Sequence, residues 1–220
     1  MDMKAEMNEY VVLLHGLART PRAMETLEKQ LTQSGYTVMN VGYPSRQYPV
    51  EELAQKTFCH ILQQLPEGVI CHFVTHSMGG ILLRYFLSKN KFPQLGRTVM
   101  LGPPNQGSEI VDKLHHYPGF YLMNGPDGMQ LGTQQNSIPK NLGAVDFELG
   151  VIAGYRSINL LLSSFILPGK NDGKVTVEST KIEGMSDHLI LPVTHTFMMK
   201  NKQVIQQVIH FLCQGKFAEN

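Results

Sequence analysis

Two periodicities alternate along the chain. Strand-like runs occur at Tyr10 to His15, Tyr36 to Gly42, Val69 to Thr75, Thr98 to Gly102 and Leu149 to Tyr155. Between them, apolar residues recur at helical spacing. A first helix is predicted from Thr20-Pro21, with Thr20 as N-cap, Pro21 in the first helical position and Gly35 closing it. A second runs from about Val50 to Leu65, a third follows Ser77, and Phe197 to Cys213 forms the last. Strands alternating with helices in this way predict an α/β fold, a mostly parallel sheet with helices on both faces. At 220 residues the chain fits a single domain with a sizeable core.

The stretch from Gln106 to Val145 breaks the rhythm. It begins helically and then mixes Pro118, Gly119, Gly125, Pro126, Gly128, Gly132 and Pro139 with apolar and aromatic residues. Breakers interleaved with apolar side chains suit a cover over a site, so residues 106–145 are expected to form a cap or lid excursion.

The chemistry is concentrated at the strand ends. Val74-Thr75-His76-Ser77-Met78-Gly79-Gly80 puts one serine between an apolar strand and a helix rich in apolar residues. In such a strand-turn-helix elbow the serine takes a strained conformation that lifts its hydroxyl clear of the sheet. The following helix aims its first amides at the same spot. Thr75 stands where the G-x-S-x-G pattern has its first glycine, a crowded choice where backbones approach closely. Upstream, the Tyr10 to Leu14 strand runs into His15-Gly16-Leu17, a context that supplies a second oxyanion donor. The expected donors are the backbone N–H groups of Leu17 and Met78.

With these motifs the chain resembles the α/β-hydrolase superfamily, in its compact lipase and esterase-like branch. A third segment adds to the likeness: Leu101-Gly102-Pro103-Pro104-Asn105-Gln106-Gly107-Ser108 is similar to the Gly-Thr-Pro-x-x-Gly-Ser run of many lipases, with proline in place of threonine. The resemblance spans about Tyr10 to Phe211. It implies the α/β-hydrolase fold and a nucleophile, acid and base in the chain order Ser, Asp or Glu, His. Ser77 is the expected nucleophile. Asp172, in the turn Gly169-Lys170-Asn171-Asp172-Gly173, resembles the acid loop of lipases, with Asp187 as its rival. His195, between an apolar strand and the terminal helix, is the expected base, with His188 as the alternative. Cover residues Phe120 and Leu122, and Phe165 from the apolar stretch Ile158 to Leu167, are expected to bind substrate. The implied activity is serine-dependent hydrolysis of a small acyl ester or lipid-like substrate, without cofactor. A thioesterase or acyltransferase would use the same three residues, and a non-catalytic binding protein on this fold is the alternative from another class.

Composition narrows the field further. With 19 basic and 18 acidic residues the net charge is +1, which gives no electrostatic case for nucleic acid. Cys59, Cys71 and Cys213 are odd in number and widely spaced, without disulfide or zinc spacing, and are expected to be buried reduced thiols. His15 is expected to brace its loop, and His76 to be bonded within the elbow. His115-His116 lack a third ligand at metal spacing and read as a solvated helix face. The polar opening Met1 to Glu9 lacks the apolar centre of a signal peptide, no run is long enough to span a membrane, and a cytoplasmic location is expected.

Overall fold

In a computed structural model, residues 9–117, 119, 125, 128–157 and 167–219 are described. Six strands, β1 (Glu9–Leu14), β2 (Thr37–Val41), β3 (Ile70–His76), β4 (Leu95–Leu101), β5 (Leu149–Gly154) and β6 (Asp187–Leu191), form one sheet in the order β2-β1-β3-β4-β5-β6. Every pairing is parallel. The longer helices are α1 (Glu25–Gln33), α2 (Val50–Gln64), α3 (Met78–Lys89) and α7 (Lys202–Gln214); short ones are α4 (Glu109–Leu114), α5 (Ile138–Asn141) and α6 (Val177–Thr180). The α/β architecture is the one expected from the alternation of patterns.

β1 explains why the central strands are apolar without interruption. Val12 and Leu14 join the core under α2 and α3, while Val11 and Leu13 join the opposite core under α1 and α7. A strand covered on both sides has no face left for polar residues. Aromatic contacts reinforce the first core, with Phe58 stacked on Phe86 at 4.5 Å and Phe73 edge-on to Phe92 at 5.2 Å.

Some boundaries differ from the sequence expectation. Thr20 makes no capping bond, and Pro21–Ala23 form one 3-10 turn before α1. The terminal helix is split: Met198–Lys200 form a separate 3-10 turn, and Asn201 accepts from the Gln203 and Val204 N–H groups to start α7 afresh. β4 begins three residues early, at Leu95, where Gly96 makes room for the buried His72 ring and the Arg97 N–H reaches His72 Nδ1 at 2.8 Å. The thiol expectation needs correction too. Cys71 is buried, and burial pushes its thiol up to about 12, but Cys59 and Cys213 are exposed on the outer faces of α2 and α7. Among the described residues no helix is long and apolar enough to cross a membrane.

Arg84 of α3 ties the start and the end of the 106–145 excursion together, next to α5. Arg84, 3% exposed, donates to Asn105 O and Oδ1 and to the carbonyl oxygens of Pro139 and Gly143, at 2.9–3.3 Å. Burial lowers its pKa to about 10. The charge is thus held inside by carbonyl dipoles.

The tightest point of the fold is where α3 meets the end of β1. A methyl group on Gly79 would lie 2.8 Å from Leu14 O and 2.9 Å from His15 O, both backbone atoms that cannot swing aside. Gly79→Ala should therefore cost about 1–3 kcal/mol despite the helix preference for alanine. Denaturant melts would read this as a lower midpoint at unchanged slope, and an unaltered midpoint would refute the close approach.

Candidate active site

β3 ends at His76 and α3 starts at Met78, so Ser77 alone turns the chain. Its φ of 54° and ψ of −122° are costly for a residue with a side chain, by about 1–3 kcal/mol. Two bonds hold it there: Ser77 N–H to Leu101 O at 2.9 Å, and Gly80 N–H to Ser77 O at 3.0 Å. Thr75, the departure from the usual glycine, is fully buried, and its Oγ1 would lie 3.1 Å from a methyl group on Gly80. Gly80, the residue after the elbow's second glycine, thus gives threonine its space.

The loop after β1 lies directly against this elbow. A methyl group on Gly16 would come within 2.8 Å of His76 Nδ1 and 3.2 Å of Ser77 Cβ. His15 braces the loop from beneath: its ring stacks on Tyr43 at 4.1 Å, its Nδ1–H donates to Gly16 O at 2.9 Å, and Tyr43 OH donates to His15 O. Burial lowers the His15 pKa, against the opposing pull of the Gly16 bond. Ala18 is the other non-glycine residue with positive φ, 54°, among the described residues. Its N–H goes to Ser45 Oγ, and the Arg19 N–H to Gly16 O. Among the described residues the Leu17 N–H has no hydrogen-bond partner, and Met78, opening α3, has no helical carbonyl one turn behind it.

The turn after β5 and the loop after β6 bring the remaining pair together. Asp172 Oδ2 accepts from His195 Nδ1 at 2.7 Å, and Asp172 Oδ1 accepts the N–H groups of Lys174 and Val175 at 2.9 and 2.8 Å. Asp172 is 2% and His195 4% exposed. The His195 N–H also bonds Asp172 O at 3.0 Å. Two glycines clear the ground beneath. A methyl group on Gly102 would meet Asp172 Oδ2 at 3.0 Å and His195 Nδ1 at 3.1 Å, and one on Gly154 would meet Asp172 Cβ at 2.8 Å. His76 Nε2–H donates to His195 O at 3.0 Å, linking the elbow to the histidine loop. Burial takes the His76 pKa well below its ordinary value, with the neighbouring His195, Lys174 and Arg19 acting in the same direction and the bond to the His195 carbonyl opposing. The Asp172 turn is in turn fastened to the segment after β4, by Asn105 to Thr180 O, Gln106 to Ser179 and Lys181 O, and Ser179 Oγ–H to Gly107 O.

Ser77 and His195 open on one cavity of about 350 Å³, walled by Leu17, Pro104, Ile110, Val111, Leu114, Leu131 and Val175. The Ile110, Val111 and Leu114 wall belongs to α4, which the sequence reading did not single out. Phe120, Leu122 and Phe165 lie outside the described residues. The rivals are elsewhere. Asp187 and His188 start β6 at the amino end of the sheet, where Asp187 accepts from the His188 and Phe217 N–H groups and His188 Nε2 bonds Thr180 Oγ1. His115 donates to the carbonyls of Val111 and Asp112. Among the described residues no three His, Cys, Asp or Glu side chains are grouped to hold a metal ion. A larger cavity of about 700 Å³, between α3, α4 and α5, contains none of Ser77, Asp172 or His195.

The sequence matches no family model and no curated relative. Likeness is carried by structure. The mature form of the Bacillus licheniformis lipase BlEst2 is 18% identical with a TM-score of 0.71, over 96% of this chain and 94% of that one. In its propeptide form the chain spans 51% of that protein. The metagenomic carboxyl esterase MGS0156 is 16% identical with a TM-score of 0.65, over 87% and 65%. Tomato methylketone synthase I, complexed with 2-tridecanone, is 12% identical with a TM-score of 0.62, over 94% and 99%. The fold is that of the α/β-hydrolases, as the sequence motifs imply.

His15, His72, His76 and His188 all have lowered pKa values, burial being the largest cause for each. The folded protein therefore binds fewer protons than the unfolded chain once the pH drops below the ordinary histidine value of 6.5. This contribution to stability is complete above 6.5 and is lost progressively as pH falls from there through the lowered folded-state values. The melting temperature should fall between about pH 7.5 and 5.5. His76→Gln, which keeps a donor for the His195 carbonyl, should flatten the slope, and an equally steep profile in that variant would show that His76 is not a contributor.

Proposed function

We propose that the protein is a serine hydrolase that cleaves carboxylic esters, with Ser77 as nucleophile, His195 as general base and acid, and Asp172 as the group that orients His195. The observation that carries this reading is the buried 2.7 Å bond between His195 Nδ1 and Asp172 Oδ2 beside the strained Ser77, on one cavity. With Nδ1–H donated to Asp172, the lone pair of Nε2 is left to receive the serine proton. Among the described residues the Ser77 hydroxyl has no hydrogen-bond partner, so its rotamer can turn to His195 as substrate enters. Attack of Oγ on the ester carbonyl forms a tetrahedral oxyanion, and His195 returns the proton to the leaving alcohol. Water, activated by the same histidine, then releases the acyl group.

The Leu17 and Met78 N–H groups are the proposed oxyanion donors, each worth about 3 kcal/mol of transition-state stabilisation. Their placement is supported by the close approach of Gly16 to Ser77 and by the position of Met78 at the start of α3. The excursion at residues 106–145 is proposed as the cover of the site, with α4 as the part that meets the acyl group. Structural neighbours described as lipases and esterases support the choice of ester.

Ser77→Ala should abolish both ester turnover and labelling by a fluorophosphonate probe while the melting curve stays close to wild type. Wild-type turnover in that variant would refute the assignment of the nucleophile. Asp172→Asn should lower kcat by a factor of about 10⁴, since an amide can hold the imidazole in the wrong tautomer. Asp187→Asn serves as the comparison and should lower it far less. Across 4-nitrophenyl esters, kcat/KM should climb from acetate about fourfold per methylene, or about 0.8 kcal/mol, until the α4 wall is covered. A flat series from acetate to octanoate would contradict the apolar wall and leave the three polar residues untouched.

A further inference from the structure

The cavity beside Ser77 has a charge pattern that ester hydrolysis alone does not require. Arg19 and Lys174 both line it, and among the described residues no aspartate or glutamate does. The chain as a whole carries only one net positive charge, so two cations without an acid are not a sample of a generally basic surface. Neither side chain makes an ion pair or hydrogen bond among the described residues. The carboxylate that acts on Lys174 is already committed: Asp172 accepts from His195 Nδ1 and from the backbone N–H groups of Lys174 and Val175.

Both cations are set by the loops that build the site. Arg19 follows Leu17 by two residues, and its N–H closes the loop on Gly16 O at 3.2 Å. Lys174 follows Asp172 by two residues, and its N–H is bound by the Asp172 carboxylate at 2.9 Å. Like charges converging on one concavity repel one another unless an anion joins them. Arg19 and Lys174 both keep solvent-exposed side chains there; the pKa of Lys174 is lowered first by partial desolvation and only secondarily by the Arg19 charge, with Asp172 pulling the other way.

We propose that Arg19 and Lys174 receive an anionic group, a phosphate or a carboxylate, carried by the substrate next to the ester that Ser77 attacks. The inference rests on the serine hydrolase reading and gives it a substrate class: an amphiphilic acyl ester whose apolar part lies on Pro104, Ile110 and Leu114 and whose charge lies between the two cations. Arginine and lysine together offer several N–H donors to the oxygens of such a group. Both cations line the same cavity and stay exposed to solvent, so an anion on a bound substrate has access to both.

The test uses Ser77→Ala protein, so that binding is read without turnover, and isothermal titration with octyl phosphate, octanoate, octanol and inorganic phosphate. Octyl phosphate or octanoate should bind about tenfold or more tightly than octanol, as charge-assisted bonds warrant; which of the two binds better distinguishes phosphate from carboxylate. Adding Arg19→Gln and Lys174→Met should erase most of that advantage, and Arg19→Lys should restore part of what Arg19→Gln loses. Equal affinity for the three octyl compounds would overturn the proposal. So would inorganic phosphate binding as tightly as octyl phosphate, since the cations would then hold a free ion and not a substrate. In wild-type enzyme, a 1-acylglycerol phosphate should exceed the matching monoacylglycerol in kcat/KM. If no ester were hydrolysed while the anion preference persisted, the hydrolase reading would fall and the anion site would stand; hydrolysis of both esters at equal rates, without binding preference, would do the reverse.

Discussion

A carboxylate buried to 2% exposure must find donors for both oxygens, and most of the local architecture around Asp172 follows from that demand. Three N–H groups meet it: two from the backbone of its own turn and one from His195. The turn must therefore curl tightly, and the histidine loop must arrive from the next strand. The strand ends below must carry no side chain where the pair sits. Gly102 and Gly154 satisfy the last condition at the ends of β4 and β5. The requirement reaches further, because the turn is fastened through Ser179, Thr180 and Lys181 to the Asn105 to Gly107 segment.

Sheet topology supplies the other half of the site. The strand order reverses between β1 and β3, the one place where chain connections leave in opposite directions and open a crevice at the carboxyl ends. The loop from Gly16 to Arg19 and the Ser77 elbow occupy that crevice. Strain is gathered there as well, in Ala18 and Ser77. Both are held by bonds to neighbouring segments, Ala18 to Ser45 and Ser77 to the last residue of β4. Rigid parallel strands thus carry conformations that an isolated loop would relax.

What the sequence made legible was local. Strand-like runs, the His15-Gly16-Leu17 turn, the serine between strand and helix, and the Asn-Asp-Gly turn each have a short-range signature, and the structure brings Asp172 to His195 and leaves Asp187 and His188 at the far end of the sheet. Features that depend on two distant segments meeting were not legible. Gly102 gave no sign that it lies beneath a pair 70 and 93 residues further on, and α4 read as the start of a cover without revealing which face meets the cavity. Arg19 and Lys174 adjoin recognisable motifs, yet their convergence exists only in three dimensions. Other misses were matters of reading. Asn201 is a capping residue inside the predicted last helix, and the helical phase of Cys59 and Cys213 places them on outward faces although their neighbours are apolar.

Arg84 holds the excursion between β4 and β5 mostly by main-chain carbonyls, those of Asn105, Pro139 and Gly143. Such a grip is blind to which residues the gripped chain carries. Mutational drift in the excursion can therefore remodel the surface presented to a ligand while the attachment persists, which separates the evolution of selectivity from the preservation of the fold. A buried arginine placed this way acts as a pivot for divergence, with one constant charge anchoring a segment free to vary.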